Sequence, residues 1–95
     1  LEVKMHAAGD GATRAAADAI AFARAANPSG GQRHEIAHNT FITAADMPRA
    51  KALGFIWEFS PYLWWPTPIT AVDIARAVGP ERMKRLWPIR EGLAS

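Results

Sequence analysis

Apolar residues between positions 11 and 26 recur at spacings of three and four: Ala12, Ala15, Ala16, Ala19, Ile20, Phe22, Ala23 and Ala26. Arg14, Asp18 and Arg24 fall on the other side, which predicts an amphipathic helix over Gly11 to Ala26. Its alanines would let it lie close on a sheet. Asp10, just ahead of it, is a good structural cap, and Asn27-Pro28-Ser29-Gly30-Gly31 ends it. Short strand-like runs occupy residues 2–6, 33–38 and 55–59, the last rich in aromatic and β-branched residues (Phe55-Ile56-Trp57-Glu58-Phe59). Between the second and third runs, Thr43 is expected to open a helix, with Asp46 as a capping-box variant and Gly54 as C-terminal cap. Residues 61–68 hold three prolines, which forbids regular structure there and predicts a loop. Thr70 is expected to cap a helix running to about Val78. Gly79-Pro80 breaks it, Glu81 to Leu86 forms a further short helix, and the last residues show no clear element.

Strands alternating with helices predict right-handed crossovers and a parallel sheet, an α/β fold. Three such units are about three-eighths of a (β/α)8 TIM barrel, which takes roughly 250 residues when complete. Residues 1–95 therefore read as a single fragment of such a barrel domain, and both ends look cut. A three-stranded parallel sheet leaves two edges unpaired. Apolar area on Val3, Met5, Ile36, Ile56 and Phe59 is expected to be exposed as well. Self-association, or pairing with the rest of its own barrel, is the expected remedy.

Composition narrows the function. The chain has no cysteine, which removes disulfides, zinc ribbons and thiol catalysis. A net charge of +2 is too small to argue for nucleic acid. The cations Arg82, Lys84, Arg85 and Arg90 read as a solvated face. No apolar run approaches the ~20 residues of a membrane span, and the first residues are not a signal peptide, so no membrane partner and a cytoplasmic location are expected.

The residues that could carry chemistry are His6 and His38. Each ends a strand-like run and is followed by loop and helix-start residues, which is where an α/β barrel places its functional groups. Neutral imidazole is a common zinc ligand, but two histidines alone are not a site. Spacing alone leaves two readings open, metal ligands or hydrogen-bonded histidines at loop starts. By strand parity, Lys4 and His6 share one face, as do His34, Ile36 and His38. If both His6 and His38 face the barrel axis, Lys4, Ile36 and His34 are expected there too, but deeper. Lys4 reads as a salt-bridged lysine of the bottom layer and His34 as structural. Asn39 could orient a ligand or a substrate. Tyr62, Trp64 and Trp65 could line a pocket for an apolar or aromatic group, or pack on outer helices.

His6-Ala7-Ala8-Gly9-Asp10, Arg33-His34-Glu35-Ile36-Ala37-His38 and Ala52 to Pro61 together resemble the amidohydrolase superfamily. The closer resemblance is to its branch of metal-dependent hydrolases that includes N-substituted formamide deformylase. The resemblance implies that the chain covers roughly the fifth to seventh strand–helix units. It also implies that His6 and His38 are metal ligands and that the cofactor is a divalent metal, zinc first. It implies hydrolysis of a small-molecule amide, formamide or related C–N bond, with the catalytic aspartate beyond Ser95 and further ligands before Leu1. The sequence departs from the usual pattern at Ala37, where a glutamate commonly precedes the ligand histidine. By itself the piece is expected to be inactive. The alternative is a truncated, non-catalytic α/β module that self-associates or binds a protein partner.

Overall fold

A computed structural model describes residues 1–63 and 65–95 of the chain. Three strands, β1 (Lys4–Ala7), β2 (Glu35–His38) and β3 (Ile56–Phe59), form one sheet in the order β1-β2-β3. Both pairings are parallel, with Lys4 level with Glu35 and Glu35 level with Ile56. Helix α1 (Asp10–Ala26) crosses from β1 to β2, and the short α2 (Arg49–Leu53) precedes β3. A 3-10 turn (Pro61–Leu63), a π-helical stretch (Ile69–Ile74), α3 (Ala75–Met83) and α4 (Ile89–Ala94) follow. The strand–helix alternation and the parallel sheet are as the periodicity predicts, and they are compatible with part of a (β/α)8 barrel.

The core lies between the sheet and α1. Ala7, Ala17, Ile20, Ile36 and Phe55 are buried together, with Met5, Ala16, Ala50, Leu53 and Trp57 packed against them. Burying one such isoleucine contributes about 1.5–3 kcal/mol. The buried stripe of α1 is Thr13, Ala17 and Ile20; of the predicted face Ile20 is buried and Ala16 packs on the core, while Phe22 is 78% exposed. Two polar residues turn the helix this way. The hydroxyl of Thr13 lies 3.0 Å from the carbonyl of Phe41 and 2.9 Å from that of Gly9. Arg24, predicted on the solvent side, donates from Nε to the carbonyl of Leu53 at 3.1 Å and from its terminal nitrogens to the carbonyls of Gly30 and Gln32.

Other local expectations are corrected. Asp10 is not the N-cap of α1: Gly9 holds that position with extended backbone, and no side chain caps the helix. The Asp10 carboxylate instead accepts from Arg82 and, at 3.0 Å, from Arg85. Burial alone would raise the pKa of Asp10, but these two hydrogen bonds outweigh it and hold the carboxyl below the usual range. Two of the cations read as solvated therefore dock the end of α3 onto the start of α1.

The second helix begins at Arg49, not near Thr43, because the preceding residues turn and Pro48 fixes the entry. Thr43 and Asp46 do bond, Oγ1 to Oδ2, at 2.6 Å. Gly54 closes α2 in the left-handed region at φ 69°, as expected. Thr67 rather than Thr70 supplies the hydroxyl at the next helix start, accepting from the Thr70 N–H at 3.2 Å. The helix starts early because Pro68 has a backbone suited to a first turn (φ −52°). Gly79 (φ 78°) kinks α3 where the break was expected. The final residues, expected to lack structure, form α4. Its Gly92 lies against Phe59, where a Cβ would meet the ring at 3.0 Å. No described helix is long and apolar enough to cross a membrane.

Candidate functional site

Parallel register decides which side chains meet. Residues level with one another on neighbouring parallel strands point to the same face. Lys4 is level with Glu35, and His6 with Ala37 and, through it, Glu58. These residues form the face away from α1. Ile36 lies on the other face, fully buried in the core, so the parity that grouped it with the inward histidines is corrected. His34 follows Ile36. It borders an apolar groove with Met5, Ala19, Ile20 and Ala23, and its Nδ1 accepts the Val3 N–H at 3.3 Å.

By the same register His38 is level with Ala7 and should point toward the helix. It does not, because the strand ends in two successive left-handed residues, His38 (φ 74°) and Asn39 (φ 48°). The turn swings the His38 ring to the side of His6. The two ring centroids stand 4.5 Å apart with their planes inclined at 66°. A left-handed residue other than glycine costs about 1–2 kcal/mol, so something must hold this backbone. Asn39 does so from a fully buried position. Its Nδ2 donates to the carbonyl of Ile36 at 2.6 Å and to that of Glu58 at 2.9 Å, tying β2 to β3. Its Oδ1 is buried without a partner among the described residues.

A polar chain runs on from His38. Its Nδ1 is 2.8 Å from the hydroxyl of Ser60, and that hydroxyl donates to Oε1 of Glu58 at 3.3 Å. The ammonium of Lys4 lies 3.7 Å from the other oxygen of Glu58 and 3.3 Å from Glu35. The hydrogen bond to Glu35, helped by the charge of Glu58, holds Lys4 above its ordinary pKa despite opposing desolvation. Lys4 is thus the salt-bridged residue that the sequence suggested. Glu58 and Ser60 were not singled out beforehand. Their alternation at the end of β3, on the parity of Lys4 and His6, is the signal that could have found them.

Tyr62 and Trp65 follow β3 and are 72% and 77% exposed. Trp64 lies outside the described residues. A cleft of about 370 Å³ opens at the other end of the sheet, lined by Leu1, Arg24, Gly30, Gln32 and His34 among others. It holds none of the candidate groups.

Two imidazoles side by side, one with its Nδ1 engaged and its Nε2 left over, fit two positions of a metal site. Among the described residues no group of three or more metal-binding side chains forms. The pair alone does not make up a metal site.

No curated protein and no solved structure gives a significant match to the chain. The family model for the amidohydrolase family matches residues 1–95. The family consists of hydrolases, generally metal-dependent, that act on small molecules. A match along the whole sequence, over a parallel α/β sheet with paired histidines at its C-terminal edge, places the chain by descent: it belongs to the amidohydrolase family.

Proposed function

We propose that this chain provides His6 and His38 as two ligands of a catalytic divalent metal, zinc first, in a hydrolase that cleaves an amide, formamide or related C–N bond. The observation that carries the reading is the ring pair, 4.5 Å between centroids, brought together by the left-handed turn at His38. A metal held there would polarise a substrate carbonyl and acidify water at neutral pH. The chain's own residues set the geometry. Asn39 holds the turned backbone, Ser60 engages the far nitrogen of His38, and Lys4 balances Glu35 and Glu58 below the pair. Tyr62 and Trp65, exposed beyond β3, are assigned to the apolar part of the substrate, as is Trp64 from its place in the sequence. Asn39, with both its amide bonds spent on backbone carbonyls, acts through His38 and not by touching substrate.

The resemblance of His6 to Asp10 and of Arg33 to His38 to the formamide-deformylase branch supports the choice of C–N bond. Two ligands leave a metal largely hydrated, so these 95 residues should bind zinc far more weakly than a complete site does. Calorimetric titration with zinc tests this. Weak binding is expected, lost in both His6→Ala and His38→Ala. Binding that survives both substitutions would refute the assignment.

A further inference from the structure

We propose that Ser60, with Glu58 behind it, is a positioning residue that fixes His38 with its proton on Nδ1 and its lone pair on Nε2. The proposal rests on the reading of His38 as a ligand, and it follows from counting protons along the polar chain. The Ser60 hydroxyl carries one proton. It donates that proton to Oε1 of Glu58, 3.3 Å away, and an ionised carboxylate can only accept. The Ser60 oxygen, 2.8 Å from Nδ1 of His38, is then left as an acceptor. Nδ1 must supply the proton between them, which leaves Nε2 bare. A neutral imidazole binds metal through its unprotonated nitrogen, and a hydrogen bond at the other nitrogen selects it.

Three further observations support this assignment. Ser60 is 3% exposed, so water does not compete for its hydroxyl. Ala37, the residue before His38, ends in a methyl and offers the ring no acceptor. Glu58 is held from the opposite side by Lys4, and its backbone carbonyl accepts from Asn39. The residue that steers the histidine of β2 thus comes from the end of β3, across the strand pair. Asn39 binds the same two strands together, so the bond and the turned backbone share one support.

Nuclear magnetic resonance of protein with ¹⁵N-labelled histidine, metal-free and at a pH where the imidazoles are neutral, reads the tautomer directly. His38 is expected to show a protonated Nδ1 and a bare Nε2, both in the wild type and in Ser60→Thr. Ser60→Ala and Glu58→Leu should both move it toward the opposite tautomer, because the first removes the acceptor at Nδ1 and the second frees the Ser60 proton to be donated to Nδ1. Zinc affinity should fall about 10- to 100-fold in Ser60→Ala and stay near the wild-type value in Ser60→Thr. A wild-type His38 protonated on Nε2, or a tautomer unchanged in Ser60→Ala, overturns the proposal. If Ser60→Ala does not fold, Glu58→Leu decides the matter by the same signal: a tautomer unchanged there overturns the proposal. Zinc binding insensitive to His38→Ala would refute the ligand reading separately, because the tautomer is measured without metal.

Discussion

At the scale of single residues, the site depends on an unfavourable backbone. His38 and Asn39 both adopt left-handed angles that leave no mark in composition. That is why strand parity read from the sequence put Ile36 on the wrong face and grouped it with His38. Gly54 adopts the same region and was legible, because glycine there advertises the conformation. His6 and His38 were legible from their position at strand ends, while Ser60 was not, because its partner lies 22 residues away. Asn39 carries much of the support. Replacing it by alanine removes the donors to two backbone carbonyls and is expected to cost about 2–3 kcal/mol. Urea denaturation measures the loss, and a change within experimental scatter would show that the turn holds without the amide.

Among the elements, ion pairs set how the helices sit more than the alanine periodicity does. Asp46, 4% exposed, accepts from Arg14 at 2.9 Å, from Arg49 at 3.2 Å and from Thr43 at 2.6 Å, and Arg49 reaches on to Asp18 at 2.6 Å. These bonds join α1, the turn after β2 and α2. No periodicity encodes them, since Arg14 and Asp18 look like ordinary solvent-facing residues, so the buried face of α1 was legible only in part, at Ala16 and Ile20. Burial would raise the Asp46 pKa, but its bonds to Arg14, Thr43 and Arg49 outweigh burial and lower it. A carboxyl depressed in the folded state stabilises fully above its unfolded value, near 3.9, and loses that contribution as pH falls through the folded value. Thermal melts of wild type and Asp46→Asn should therefore differ most at neutral pH. The gap should close as the pH drops below about 4. A gap that is constant with pH would mean that the charge of Asp46 does not matter.

For the molecule as a whole, the order of strands and helices was legible because each element keeps its own period over several residues. What covers the sheet was not. Of the five apolar residues expected to be exposed, Val3 is, while Met5, Ile56 and Phe59 are half-buried and Ile36 is buried, so the apolar surface is smaller than expected. The open face carries Lys4, His6, Glu35 and Glu58 beside Ala37 and Ile56. The exposed backbone edges of β1 and β3 remain, and unpaired strand edges recruit other strands. Light scattering over a concentration series is expected to give a mass that rises above 10.3 kDa. A constant mass at that value would show that the edges are silent.

The pairing of His6 with His38 at a metal is tested most directly by X-ray absorption at the zinc edge of the zinc-loaded protein. Two imidazole nitrogens at about 2.0–2.1 Å are expected in the wild type, with both lost in the His6→Ala, His38→Ala double variant. A zinc shell of oxygen atoms alone, or a spectrum that the double substitution leaves unchanged, would contradict the pairing.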